Sequence, residues 1–228
     1  MNRPAAGRRR ISTPVRVTII TGAVAIAFLI GAIIYGIANR PAPLDPEGAV
    51  GALPGARLNS HVLDDVGPDA PTLVEFLDFE CEACGAFYPV VEQLREEYDG
   101  KINYVIRYFP LPGHFNSMNA AIAVEAAAQQ GRVEEMYQRM FETQAQWGEQ
   151  QESRADLFRS FAEELGLDMA AYDAAVADPA TQARVEEDFN EGVTMGVNST
   201  PTFFLDGEKL ELRQLSDLIN ALDNAIAQ

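Results

Sequence analysis

A pair of cysteines stands at the junction between a predicted strand and a predicted helix. The pair is Cys81 and Cys84, and the strand before it covers 72–79, which is short and mostly apolar. A second apolar strand covers 102–109. The helix between the strands is indicated by apolar side chains at helical spacing: Phe87, Val90, Val91, Leu94 and Tyr98. Strand, helix and strand in this order predict a βαβ unit with parallel strands, and therefore an α/β fold.

The middle of the chain is different in kind. Residues 115–195 contain helical patterns and no strand signal; one clear amphipathic face consists of Val133, Met136, Tyr137, Met140 and Phe141. Strand character returns at 202–205, where the dipeptide Asp206–Gly207 predicts a hairpin turn and a return strand over 208–212. A final amphipathic helix follows over 215–226. This order predicts an α/β domain interrupted by a helical insertion.

The N-terminal region has the pattern of a membrane anchor. Residues 1–16 carry five arginines, and the 23 residues 17–39 carry no charge. As a helix, 17–39 would be roughly 34 Å long, enough to cross a hydrocarbon core of about 30 Å. Because arginine-rich flanks stay in the cytoplasm, we predict a cytoplasmic tail, a single-pass helix over 17–39 and an extracytoplasmic remainder joined by a tether over 40–68. The alternative is a cleaved signal peptide with a small-x-small site at 36–38.

Composition excludes several other classes of function. The formal net charge is −17, and no acidic residue precedes Asp45, so the part after the anchor is strongly acidic. Nucleic acid would be repelled by such a surface. The chain has only two cysteines, and the histidines are His61 and His114 alone. We therefore expect neither a scaffold built on many disulfides nor a metal site, and no cofactor is predicted.

The spacing of the two cysteines suits thiol–disulfide exchange. Cys81 would lie at the positive end of the helix dipole, where free backbone N–H groups favour a thiolate, the attacking species in exchange. We expect Cys81 to be exposed and Cys84, one turn further into the helix, to be buried as the resolving thiol. A structural disulfide, a zinc site and a chance spacing remain open as alternatives.

Two further positions support redox chemistry. Glu75 lies six residues before Cys81 in an otherwise apolar strand and on the same side of it. Burial would raise the pKa of Glu75 and allow it to exchange a proton with Cys84; the alternative is an acid that solvates a sheet edge. Thr200 and Pro201 come directly before the 202–205 strand. From the sequence alone, a trans bond before Pro201 is the expectation.

Together these features resemble the thioredoxin fold, and the helical insertion resembles its DsbA-type branch. The stretches 109–114 (FPLPGH) and 196–203 (GVNSTPTF) are also similar to that branch. The resemblance implies a mixed sheet flanked by helices, formed by 69–114 and 196–228, with 115–195 inserted between them.

The resemblance also assigns roles to individual residues. Cys81 would be the nucleophile, Cys84 the resolving thiol and Glu75 the buried acid. Pro201 would be a cis-proline beside the cysteines, and Thr200 would offer its backbone to an extended substrate peptide. The chain departs from the best-known DsbA in the dipeptide between the cysteines, where Glu82 places a negative charge beside the thiolate. His114 is predicted to be a loop or capping residue, and Trp147 a packing residue of the insertion.

These features predict a membrane-tethered, monomeric thiol:disulfide oxidoreductase outside the cytoplasm. It would introduce disulfides into reduced secreted proteins through Cys81 and Cys84. The resemblance implies reoxidation by a quinone-linked membrane oxidase of the DsbB or vitamin-K-epoxide-reductase type. Two alternatives stay open: a reductase that acts on specific substrates such as apocytochromes, and a non-catalytic binding module with a structural C-x-x-C.

Overall fold

The structure is a computed structural model that describes residues 53–227. Its strands are β1 (His61–Asp64), β2 (Thr72–Leu77), β3 (Asn103–Tyr108), β4 (Thr202–Leu205) and β5 (Glu208–Lys209). Its helices are α1 (Glu82–Glu97), α2 (Ser117–Ala128), α3 (Val133–Trp147), α4 (Ala155–Glu164), α5 (Met169–Ala177), α6 (Pro179–Thr194) and α7 (Leu215–Ile226).

The five strands form one mixed sheet in the order β1-β3-β2-β4-β5. Strands β2 and β3 are parallel and are joined by α1, as the βαβ pattern predicted. Strand β4 lies antiparallel to β2 on its other side, and β1 is antiparallel to β3. The predicted fold class is confirmed for the sheet and its helices. Strand β2, which leads into the cysteine pair, is therefore central and paired on both edges.

The core lies on both faces of the sheet because β2 and β3 are buried along their whole length. Side chains of a strand alternate between faces, so Leu73 and Leu77 join the larger apolar cluster, which also contains both cysteines, while Val74 and Phe76 join the smaller one. Glu75 therefore projects from β2 toward the cluster that contains the cysteines.

The helical insertion consists of α2 to α6, all of which lie between β3 and β4 in the chain. Local caps explain two of its boundaries. The Asp168 carboxylate accepts hydrogen bonds from the N–H groups of Ala170 and Ala171 and starts α5. Asp178 caps α6 in the same way, and Pro179 occupies the first turn, where its missing N–H costs nothing.

Two local predictions are wrong. The tether expected over 40–68 does not hold for His61–Asp64, which forms β1. All four residues of β1 are only partly buried, so the alternation of buried and exposed side chains that marks a strand is absent. The return strand expected over 208–212 is limited to Glu208–Lys209, both exposed, which pair with the end of β4.

The predicted anchor over 17–39 lies outside the described residues. Among residues 53–227, no helix combines the length and the apolar character that a membrane crossing needs.

Candidate active site

The two cysteines lie where β2 passes into α1. Cys81 is the N-cap residue of α1, with an extended backbone, and its N–H donates to the Asp78 carbonyl at 3.1 Å. Both cysteines are free thiols. Cys84 is 1% exposed, as predicted, but Cys81 is only 8% exposed, so the prediction of an exposed Cys81 is wrong. The reason is that the loop at Thr200 covers Cys81: its Sγ lies 3.4 Å from the Thr200 carbonyl oxygen.

The peptide bond between Thr200 and Pro201 is cis. This corrects the trans expectation drawn from the sequence alone and confirms the prediction drawn from the resemblance. The contact between the Cys81 thiol and the Thr200 carbonyl also confirms that this bond lies against the cysteine pair. Local sequence patterns around Cys81 and Thr200 do not signal this contact, because 119 positions separate the two residues.

The surroundings of Cys81 favour its thiolate. The pKa of Cys81 falls from 9.0 to about 5, and the largest cause is the hydrogen bond from the Cys84 thiol. Burial opposes this shift, while the Thr200 side chain and the N–H groups of Cys84 and Ala83 lower the pKa further. The Thr200 hydroxyl is buried without another partner, so it is free to donate to the sulfur. Cys81 is therefore ionised at neutral pH when reduced.

Cys84 has the opposite character. Burial is the largest cause that raises the pKa of Cys84 well above its usual value, and the hydrogen bond to Cys81 and the charges of Glu75 and Cys81 add to it. A backbone hydrogen bond at Asp78 acts in the other direction. The pair therefore consists of one acidic thiol and one thiol that holds its proton, as a nucleophile and its resolving partner require.

Glu75 is buried in the central strand and is 3% exposed, which excludes the alternative of an acid at a sheet edge. Burial is the main reason why its pKa rises from 4.5 to about 7, although a hydrogen bond from the Tyr104 hydroxyl lowers it. The charges of Glu92 and Cys81 raise the pKa further. A carboxyl group with this pKa gains and loses a proton at neutral pH, near a cysteine whose pKa responds to its charge.

A buried carboxylate beneath the cysteine turn organises the loop after β3. Asp78 is 1% exposed, and its oxygens accept from the Leu111 N–H at 3.0 Å and the Ser117 hydroxyl at 2.7 Å. His114 Nδ1 lies 2.6 Å from the same carboxylate. Burial lowers the pKa of His114, but the bond and charge of Asp78, with the charges of Cys81 and Glu149, raise it overall. His114 is a loop residue, as predicted, and its contact with Asp78 also places it in the surroundings of Cys81. Its position in the FPLPGH stretch was the one sequence signal for this.

Two acids flank Cys81 in different environments. Glu82 is exposed in the first turn of α1, as expected for a solvated charge. Glu80 is 1% exposed and accepts a hydrogen bond from the Asn116 N–H at 2.5 Å. Burial raises the pKa of Glu80, and that bond partly offsets the rise.

The helical insertion contacts the cysteine turn through Gln144 of α3. Its side-chain amide donates to the carbonyl oxygens of Phe79 at 2.7 Å and Cys81 at 2.8 Å. Nothing in the sequence distinguishes Gln144 from the other glutamines, since it lies 63 positions from Cys81. Trp147, one turn further along α3, is fully buried against Phe158 and is a packing residue, as predicted.

Among residues 53–227, no group of three or more His, Cys, Asp or Glu side chains is placed to hold a metal ion.

We predict that Glu82→Gln lowers the pKa of Cys81. A neighbouring carboxylate disfavours the thiolate by repulsion, and removing its charge removes that effect. Because Glu82 is exposed, water and salt screen the interaction, and the expected shift is less than about one unit. Thiolate absorbance against pH measures it, with Glu96→Gln, also exposed on α1 but further along it, as the control. A pKa that stays constant or rises in Glu82→Gln contradicts the charge argument.

Comparison with known proteins places these features in a family. A protein-family model described as thioredoxin matches residues 67–224. Among solved structures, a thioredoxin-like oxidoreductase from Silicibacter pomeroyi DSS-3 is 26% identical, with a TM-score of 0.61 over 75% of this chain and 94% of that one. BdbD from Bacillus subtilis is 17% identical, with a TM-score of 0.67 over 79% of this chain and 99% of its own. Wolbachia pipientis alpha-DsbA1 is 21% identical, with a TM-score of 0.62 over 74% of this chain and 92% of its own.

The curated relatives are much longer proteins. The Na(+)/H(+) antiporter NhaA 1 of Mycobacterium sp. (strain KMS) is 34% identical over 190 residues, which are 81% of this chain and 29% of the antiporter. NhaA 3 of Salinispora tropica is 36% identical over 178 residues, or 76% of this chain and 24% of that protein. The chain thus spans less than a third of the length of these relatives.

Proposed function

This chain belongs to the thioredoxin family, with a DsbA-like fold, and on that premise we propose that it is a thiol:disulfide oxidoreductase that introduces disulfides into other proteins. The observation that carries the proposal is the contrast within the cysteine pair. Cys81 has a pKa of about 5 beside the Thr200 carbonyl, while the pKa of buried Cys84 is raised well above its usual value. A structural disulfide needs no such difference between its two thiols.

In the proposed reaction the protein begins with a Cys81–Cys84 disulfide. A substrate thiolate attacks the Cys81 sulfur, so the bond to Cys84 breaks and Cys84 leaves with the electron pair. A second substrate thiolate then attacks the substrate sulfur of the mixed disulfide, and Cys81 leaves as a thiolate. The substrate loses two electrons and gains a disulfide, and the protein gains two electrons and two free cysteines. The stabilised Cys81 thiolate makes it a good leaving group in the second step.

We assign Glu75 the delivery of a proton to Cys84. Cys84 leaves as a thiolate in a buried environment that strongly disfavours its charge. Glu75 projects from β2 toward the apolar cluster that contains Cys84. Its pKa is about 7, so at neutral pH a fraction of the Glu75 carboxyl groups holds a proton to donate. The Tyr104 hydroxyl, which donates to the Glu75 carboxylate, would hold the group in position.

The acidity of Cys81 favours the oxidase direction over the reductase alternative. A stabilised thiolate stabilises the reduced protein, and a protein that is stable when reduced oxidises its partners. Substrate peptides would bind in extended form along Thr200 and Pro201, beside the Cys81 sulfur. Reduced proteins outside the cytoplasm are the proposed substrates, because disulfides persist in that compartment.

The proposed setting follows from the N-terminal sequence. Residues 17–39 would anchor a monomer in the membrane, with the cysteines outside the cytoplasm. Membrane fractions that retain the full-length chain after an alkaline wash support the anchor, and release of the chain contradicts it.

A quinone-linked oxidase of the DsbB or vitamin-K-epoxide-reductase type would restore the Cys81–Cys84 disulfide. If membranes that contain such an oxidase do not reoxidise the protein in a quinone-dependent way, this partner is contradicted.

Direct oxidation of a dithiol peptide tests the proposed activity. The oxidised protein is mixed with a reduced peptide that carries two cysteines, and peptide disulfide and protein thiols are counted with time. We expect one peptide disulfide for each protein disulfide reduced. For a binding module with a structural C-x-x-C, the peptide would remain reduced and the reduced protein's thiols would resist alkylation.

A further inference from the structure

The contact between Gln144 and the cysteine turn is more specific than helix packing requires. Both hydrogens of the side-chain amide are used, one for the Phe79 carbonyl at 2.7 Å and one for the Cys81 carbonyl at 2.8 Å. These carbonyls lie on either side of Glu80, where the chain leaves β2 and turns into α1. The Cys81 carbonyl also accepts from the Gly85 N–H at 3.0 Å, in the first turn of α1. One side chain of the insertion thus joins the end of the strand to the start of the helix.

Gly85 provides the space for this amide. A Cβ atom at position 85 would lie 1.9 Å from Gln144 Oε1 and 2.7 Å from its Cδ, far inside van der Waals contact. Gly85 lies within α1 and has an ordinary helical backbone, so its need for glycine is one of space rather than of conformation. Gln144 and Gly85 are therefore a matched pair, although they lie in different parts of the fold.

We propose that Gln144 is a positioning residue for the redox site: it holds the turn from Phe79 to Cys81 so that the N–H groups at the start of α1 face the Cys81 sulfur. The inference rests on the proposed function and gives the helical insertion a part in the chemistry. N–H donors stabilise a thiolate only in suitable geometry, and the turn that sets their geometry is the one that Gln144 bonds at two points. A purely structural Gln144 would affect folding stability but not the acidity of Cys81.

The test is the Cys81 pKa in the reduced protein, measured by thiolate absorbance without any redox partner. Gln144→Ala should raise it by about one unit, which is a tenfold change in the ionisation constant. The equilibrium constant for oxidation by this protein should fall by up to about tenfold, or about 30 mV. Gln144→Glu, nearly the same shape but without the N–H donors at neutral pH, should shift the pKa in the same direction. Gln146→Ala, an exposed glutamine of the same helix, is the matched control and should change neither quantity.

The double variant with Gly85 makes the test specific. Gly85→Ala should displace the amide and raise the Cys81 pKa as Gln144→Ala does, and the two changes together should give no more than the larger single shift, because both break one contact. Additive shifts, or an unchanged pKa in a folded Gln144→Ala or Gln144→Glu protein, would overturn the proposal. Because this readout needs no substrate, a protein that shows the shift but oxidises no peptide refutes the proposed function alone.

Discussion

Cys81→Ser is expected to reduce dithiol oxidation to the spontaneous rate. Serine is nearly the same size, but its hydroxyl forms no disulfide, and the sulfur with a pKa of about 5 is lost. Cys84→Ser should instead retain the reactive sulfur. When it is offered a substrate disulfide, its Cys81 thiolate attacks one substrate sulfur and the other leaves as a thiolate; the mixed disulfide then accumulates because no Cys84 thiol is present to release it. Non-reducing electrophoresis after acid quenching separates the two outcomes: covalent adducts for Cys84→Ser and none for Cys81→Ser.

The thiols should also differ in their rates of alkylation. In the reduced wild type, Cys81 should react faster than Cys84, because it is both more acidic and, at 8% against 1%, more exposed. Far-UV circular dichroism of both serine variants checks that they are folded. Equal alkylation rates, or adducts that form through residue 84 in a Cys81→Ser protein, contradict the assignment of the nucleophile.

Glu75→Gln is expected to stabilise the folded protein above pH 7. The pKa of Glu75 is about 7 when folded, against an ordinary value of 4.5, so the folded state holds the proton more tightly than the unfolded chain does. The stabilisation of the folded state by this tighter proton binding is fully present below pH 4.5 and is lost as the pH rises through 7. This difference between the folded and unfolded pKa corresponds to a free energy of about 3 kcal/mol, a large part of a typical unfolding free energy of about 5–15 kcal/mol. Glutamine has no charge to bury and still accepts from the Tyr104 hydroxyl.

Denaturant unfolding between pH 4 and pH 8 measures this effect. The difference between Glu75→Gln and the wild type should be small near pH 4, grow as the pH rises from 4.5 to about 7 and level off above that, while the exposed Glu96→Gln control shows no such trend. The same variant should slow peptide oxidation, because Cys84 loses its proton donor. A pH-independent stability difference between Glu75→Gln and wild type would mean that Glu75 keeps an ordinary pKa, and the proton-transfer role would fail with it.

Local patterns explain why the strand, the cysteine helix and the buried acid could be predicted. The spacing between Glu75 and Cys81 places both on one side of β2, and the apolar positions after Cys84 define the buried side of α1. Asp168 and Asp178 cap the helices that follow them, a preference of aspartate that can be recognised in the sequence. Such features depend on neighbours a few residues away, so the sequence displays them directly.

Contacts between distant segments could not be predicted in this way. The burial of Cys81 depends on Thr200, and the hydrogen bonds to its carbonyl depend on Gln144; both come from elements whose docking no local spacing specifies. The bond from His114 to Asp78 is of the same kind, joining the loop after β3 to the end of β2. Of these tertiary contacts, the one at Thr200 lowers the pKa of Cys81. The cysteine pair was therefore visible in the sequence, but this part of the tuning of Cys81 was not.

The reduction potential of the Cys81–Cys84 pair tests the central claim most directly. The protein is equilibrated with glutathione buffers of graded ratio at pH 7, and its reduced fraction is determined by alkylation. An oxidase with an acidic Cys81 should have a potential above about −180 mV, toward the value of about −120 mV known for strongly oxidising proteins of this fold. A potential near about −270 mV, as in thioredoxin itself, would identify a reductant and contradict the account.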